Sequence, residues 1–299
     1  MAELIAYTKC PACGSASIQM GLSARDHTVT QEVFEIWHCN DCTVRFTQHV
    51  PNATTIGPYY QSLNYVSHSD TDKGLINRLY HLVRNYTLTT KTKLLQQVSG
   101  KATGNLLDVG AGTGAFANAM VLAGWTVTGL EPDETARQTA KNKYQILLEP
   151  ADHLFQLEAS CFDAVTMWHV LEHVHNLHGY LEQFHHIIKP GGHLVIAVPN
   201  YTSYDAQTYG EYWAGYDVPR HLYHFSPESM EQLTNSKGFI LETIQPMWFD
   251  SFYVSMLSEQ YKKKSGNLLG AVWNGLLSNL KTIGNKRKCS SVIYIFSKE

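Results

Sequence analysis

Four cysteines stand in two short pairs, Cys10-Pro11-Ala12-Cys13 and Cys39-Asn40-Asp41-Cys42, with 25 residues between them. Each pair can wrap one side of an ion, so four thiolates converge tetrahedrally, which is zinc-ligating spacing. Gly14 follows the first pair, where a tight turn brings backbone amides toward the sulfurs. Residues 31–38 (QEVFEIWH) alternate polar and apolar as a strand does and lead into the second pair. The expectation is a zinc ribbon over residues 1–55 holding structural Zn2+ through Cys10, Cys13, Cys39 and Cys42. A closed four-thiolate site leaves no position for a reacting water, so the ion's role is structural. Redox-active pairs or plain buried thiols are the alternatives. His38 is expected to be a ribbon side chain, and Cys161 and Cys289 ordinary thiols.

A second pattern begins at Asn105. Residues 106–109 (LLDV) read as a buried strand, Gly110-Ala111-Gly112-Thr113-Gly114 as a turn, and residues 115–123 as a helix. A second strand, residues 125–130, ends in Glu131. Strand, glycine turn, helix, strand and acid form the front half of a nucleotide-binding α/β fold. The loop alone is ambiguous, because Gly110, Gly112 and Ala115 also fit the dinucleotide form. Asp108 favours another ligand. Its carboxylate would repel a pyrophosphate and suit a phosphate-free cofactor carrying a sulfonium and an ammonium, and no Lys or Arg stands between Gly104 and Arg137 to offset it. Glu131 is placed to hold both ribose hydroxyls.

These residues, LLDVGAGTGAF at 106–116 with Gly129-Leu130-Glu131-Pro132, resemble the class I S-adenosylmethionine-dependent methyltransferases over residues 100–250 and the last strand. Residues 162–174 (FDAVTMWHVLEHV) resemble the fourth strand and the helix after it, and residues 181–194 (LEQFHHIIKPGGHL) the helix and turn before the fifth. The resemblance implies a Rossmann-like α/β fold with a seven-stranded sheet and helices on both faces. It also implies that S-adenosyl-L-methionine is held by Asp108, Gly110, Gly112 and Gly114 at its methionine end and Glu131 at its ribose. Asp152 then lies near the adenine, and Trp168 and His169 face the cofactor.

Residues 169–173 also spell H-x-x-E-H, an inverted zinc-protease signature, which on a helix would put His169 and His173 on one face. It begins at the end of a strand inside the Rossmann-like order, so the protease reading is set aside. Beyond Pro199-Asn200, residues 201–226 are aromatic-rich and sit where α/β folds bind ligands. His221 is the leading general base, its pKa suiting work near neutrality. Arg220 is a candidate clamp for an acidic substrate, or else the partner of Asp217, and Tyr209 is a third catalytic candidate. Ser226-Pro227 reads as a capped helix start.

The elements that must position these groups divide the chain into a ribbon (1–55), a helical connector (56–100) and a methyltransferase domain (101–299). A helical insertion at about 251–290 separates the last two strands. The chain has 299 residues, 44% hydrophobic and 16% charged, enough for a packed core. Eight of its 23 Lys/Arg lie in residues 260–299, leaving the rest acidic and ill suited to nucleic acid. Residues 267–283 are apolar at helical spacing between Lys262-Lys263-Lys264 and Lys286-Arg287-Lys288, so residues 262–288 are expected to form a lid, a homodimer contact or a peripheral membrane contact. The Tyr-rich stretch 59–65 bridges two domains or lies over the cofactor. Residues 1–10 carry no basic, then apolar, leader pattern, and a cytoplasmic location is expected. The reading is a methyltransferase acting on a small molecule such as a sugar nucleotide. A NAD-dependent oxidoreductase and a non-catalytic zinc-ribbon binding module are the alternatives.

Overall fold

The computed structural model describes residues 4–61, 75–263 and 266–298. Tyr65 and Lys264 therefore lie outside the described residues. In chain order the ribbon holds β1 (Leu4–Ile5), β2 (Ile18–Arg25), β3 (Val33–Cys39), β4 (Arg45–Thr47) and β5 (Val50–Pro51). The helix α1 (Leu75–Ser99) follows, then β6 (Asn105–Val109), α2 (Ala115–Leu122), β7 (Thr126–Leu130), α3 (Glu134–Tyr144), β8 (Leu148–Glu149) and β9 (Phe162–Trp168). The chain continues through α4 (Leu177–Ile187), β10 (Ile188–Pro199), α5 (Tyr204–Tyr209), β11 (Tyr223–His224), α6 (Pro227–Asn235) and β12 (Phe239–Pro246). It ends with α7 (Asp250–Lys262), α8 (Leu268–Gly284) and β13 (Ser291–Lys298).

The central sheet has seven strands in the order β12-β13-β10-β9-β6-β7-β8. All neighbours are parallel except β13, which runs antiparallel to both β10 and β12. The middle strands read as near-continuous apolar runs because helices cover both faces: of β9 only Trp168 is not fully buried. The order reverses beside β6, so the crevice outside its carboxyl end, where Asp108 and the glycine turn lie, is the expected ligand site of an open α/β sheet. Helix starts are fixed locally. Asp133 caps α3, accepting from the Thr135 amide, and Ser226 with Ser229 forms a reciprocal capping box on α6 with Pro227 at its first position.

The ribbon is not a separate module. Its sheet is four-stranded, β11-β4-β3-β2, and the edge strand β11 comes from the substrate-side loop, far downstream in the chain. Phe46, Val44 and Val50 share one continuous core with Leu107, Met167, Leu222 and Phe225. Burying each such side chain contributes roughly 1.5–3 kcal/mol, so the boundary expected at residue 55 is one of sequence and not of packing. Two histidines reinforce this: Nε2 of His178 lies 3.0 Å from the Pro11 carbonyl and Nε2 of His175 3.0 Å from that of Pro51.

The late insertion is the antiparallel pair α7 and α8. Small residues let the two helices approach, and Gly275 packs so closely on Phe252 that a Cβ would come within 2.6 Å of its ring. The opposite face of α8 is exposed and apolar, presenting Leu268, Leu269, Val272, Trp273, Leu276, Leu280 and Ile283.

Candidate functional site

The turn after β6 is tied to the end of β7. The amides of Gly110 and Ala111 both donate to the Leu130 carbonyl, and Glu131 accepts from the Gly112 amide (2.8 Å) and the Asp133 amide (2.9 Å). Gly110 has a φ of +70°, and a Cβ there would meet Val170 at 2.3 Å, so glycine is required on both counts. Gly112 also has positive φ, but a Cβ would meet nothing within 4 Å, so its bare backbone faces open space. Gly114, in the left-handed region, caps α2.

Asp108 is buried at the end of β6 and accepts a hydrogen bond from Thr166 on β9 at 2.8 Å. Burial pushes its pKa up to about 7, against the pull of that hydrogen bond and of Lys91. Lys91 corrects the sequence argument that no cation offsets Asp108. It arrives from α1, and its ammonium lies 4.0 Å from the centre of the Trp168 ring. Burial lowers its pKa to about 8, while Asp108 and Asp250 favour its charge. Trp168 also packs edge-to-face on Phe116, with centroids 5.4 Å apart. Asp152 lies exposed on the 3₁₀ turn that follows β8, on the same side of the sheet.

His169 follows β9 with a φ of +59°, a conformation uncommon outside glycine. Its Nε2 lies 3.1 Å from the Asp250 carboxylate at the start of α7, and its Nδ1 3.5 Å from Glu172. Burial disfavours the imidazolium, but the two carboxylates outweigh it and raise the pKa to about 9. The H-x-x-E-H spacing does not sit on an α-helix: residues 171–173 form a single 3₁₀ turn, so His169 and His173 do not share a helical face.

His221 is buried on the substrate side. Its Nδ1 lies 2.9 Å from the Gly215 carbonyl, which can only accept, so Nδ1 carries the hydrogen and Nε2 the lone pair. His173 is arranged alike, with Nδ1 3.0 Å from the Arg220 carbonyl and 3.1 Å from the Tyr60 hydroxyl. The two rings meet edge-to-face at 4.6 Å. Ligand atoms of Glu172, His173 and His221 all lie within 4.8 Å of one another. The strand β4 holds this loop in place: Thr47 bonds the carbonyls of His221 and Leu222 from its hydroxyl and amide, and Arg45 donates to the Tyr216 hydroxyl.

Two expected catalytic residues lie elsewhere. Arg220 is fully buried and bonds Asp217 in bidentate fashion (2.9 and 2.6 Å), Asp26 at 3.1 Å and the Tyr59 carbonyl at 2.8 Å. It therefore joins ribbon to loop and is not a substrate clamp, because a guanidinium engaged by two carboxylates has little left to offer an acid. Tyr209 is also buried, its hydroxyl donating to Glu259 and accepting from Asn274, so it anchors α5 to the insertion. In their place the structure brings forward Glu172, His173, Lys91, Thr166 and Asp250. The adjacent Glu172-His173 pair was visible in the sequence, but only as part of a protease-like motif.

At the other end, Cys10 and Cys42 have sulfurs 3.5 Å apart, Cys13 and Cys39 3.6 Å, and all four lie within 4.8 Å. Tetrahedral zinc with bonds of about 2.3 Å needs sulfurs roughly 3.8 Å apart. Matching turns frame the pairs: the Gly14 amide bonds the Cys10 carbonyl and the Thr43 amide that of Cys39, both turn residues having positive φ. The four residues fit zinc.

Residues 81–244 match the family model for a methyltransferase domain, and the chain belongs to that family. A rat mitochondrial ubiquinone biosynthesis O-methyltransferase is 28% identical over 49% of this chain and 47% of its own length. A demethylmenaquinone methyltransferase of Tropheryma whipplei is 29% identical over 48% and 62%. The chain thus spans about half the length of the first of these curated relatives and less than two thirds of the second. The fold is shared with a solved sarcosine dimethylglycine methyltransferase candidate from Galdieria sulphuraria, with a TM-score of 0.52, 15% identity, and coverage of 75% of this chain and 88% of that one.

Proposed function

We propose that this chain is an S-adenosylmethionine-dependent methyltransferase acting on a small molecule, with a structural zinc ion in its ribbon. The observation that carries the reading is the buried Asp108 beside a glycine turn that faces open space at Gly112, in a chain of the methyltransferase domain family. When bound, the cofactor supplies an electrophilic methyl on a leaving group already activated by its charge. The protein's work is then positioning and, for a hydroxyl acceptor, managing one proton. Glu172, His173 and His221 meet the acceptor on the substrate side, with two imidazole lone pairs and a carboxylate for that task. The relatives' names point to quinone-type acceptors, and the ribbon-bearing plan to sugar nucleotides. A mass-spectrometric screen of small metabolites separates these: gain of one CH2 by a phenolic or a sugar acceptor names the class, and no methylated product from any extract fed with cofactor removes the reading.

The exposed row on α8, between Lys262-Lys263 and Lys286-Lys288, is proposed as a contact for an anionic lipid surface. No helix among the described residues is long and apolar enough to cross a membrane, and the row is on one side of α8 only, which suits lying on a surface.

A further inference from the structure

Glu172 is 1% exposed, and neither of its carboxylate oxygens has a hydrogen-bond partner. A buried carboxylate left this way is costly unless a cation or donor meets it. The nearest cationic group, Nδ1 of His169, stands 3.5 Å away and is shared with Asp250 on the ring's other side.

Beside that carboxylate are two imidazoles whose Nδ1 atoms are already committed to the backbone carbonyls of Arg220 and Gly215. Donation of one ring N–H to a carbonyl fixes the tautomer and aims the other nitrogen, which is how metal-ligating histidines are held. Among the described residues, only this cluster and the four cysteines bring three or more such ligands together.

We infer that Glu172, His173 and His221 form a divalent-cation site, separate from the ribbon zinc, that binds the oxygen of the methyl acceptor. One carboxylate and two imidazoles on a face leave open coordination positions and suit Mn2+, Fe2+ or Co2+ as well as zinc. The role, though not the site, rests on the methyl-transfer reading. A hydroxyl bound to such an ion loses its proton to solvent at lower pH. Its oxygen then forms the new C–O bond, and the pair from the broken C–S bond stays on sulfur. His221 serves here as ligand, and Asp217, 3.9 Å from its Nε2, as a neighbouring charge.

The test is Mn2+ titration of the full chain carrying one zinc per chain, which the four thiolates take first, followed by the free-ion electron paramagnetic resonance signal, since Mn2+ avoids thiolates. One Mn2+ per chain is expected, with affinity falling by at least about tenfold in Glu172→Gln and in His221→Ala and unchanged in His153→Ala, thermal melts verifying each fold. Wild-type protein that takes up no Mn2+ at millimolar concentration overturns the site, as does undiminished uptake by folded Glu172→Gln. Binding of S-adenosylhomocysteine by the same sample separates the failures: cofactor bound without Mn2+ removes the cation and leaves methyl transfer standing.

Discussion

Arg220 and Asp26 are 194 residues apart in the chain, yet their side chains meet at 3.1 Å, each no more than 1% exposed. The ribbon's Asp26 turn and the loop carrying His221 are thereby one structure. Removing Asp26 leaves Arg220 with Asp217 alone and strips the amides of Thr28, Val29 and Thr30 of their acceptor, a loss of about 1–3 kcal/mol. Asp26→Ala is expected to lower the unfolding free energy by that amount, read as a lower urea midpoint at unchanged slope, and to lower activity with it. A midpoint within experimental error of wild type would contradict the link.

Acid should expose the same bond. Burial raises the Asp26 pKa, but the Thr30 amide, Arg220 and Thr28 outweigh this and bring it down to about 2. The unfolded value is about 3.9. A depressed acid contributes stability that is present above its unfolded pKa and lost as pH falls toward its folded one. Stability measured by denaturant is therefore expected to decline between about pH 4 and about pH 2, less steeply in Asp26→Asn.

Chelation of the zinc proposed for the ribbon tests the shared core. Structural zinc sites contribute folding energy outright, apparent values being about 10–16 kcal/mol in isolated fingers. Because β4 pairs with β11 and Thr47 bonds the His221 carbonyl, stripping zinc should shift the whole thermal transition downward and abolish turnover. A separate early transition with activity retained would show an independent ribbon.

Cofactor affinity should depend on pH through Asp108, whose pKa lies near 7. Its ionised form attracts a cationic ligand, so binding of S-adenosylmethionine tightens as pH rises through 7, and each unit below costs up to about tenfold. Asp108→Asn flattens the profile. Lys91→Met, which removes a charge favouring ionisation, moves the midpoint upward. Calorimetry over a pH series reads both.

Vesicle sedimentation addresses α8. Pelleting with anionic vesicles, weakened by salt and lost in Trp273→Glu, is expected. Salt-independent self-association without pelleting would instead assign the row to a second copy.

The sheet, the glycine turn, the cysteine pairs and the Ser226 cap were legible because their signals are local: short apolar runs, clustered glycines, fixed spacings. What was not legible is long-range. Nothing near Arg220 in sequence names Asp26 as its partner, so a buried staple read as a substrate clamp. Lys91 enters the Asp108 site from a helix that no local window around the loop includes. Tyr209 looked available because its partners, Glu259 and Asn274, belong to an insertion whose packing the pattern leaves open. Glu172 and His173 were read on an α-helix, and the 3₁₀ turn that displaces them is a tertiary outcome.

Calorimetry with S-adenosylhomocysteine and with NAD tests the central claim most directly. One S-adenosylhomocysteine bound per chain is expected, weakened about tenfold or more in Asp108→Asn, and no heat with NAD. Binding of NAD, or of neither ligand by folded protein, would contradict it.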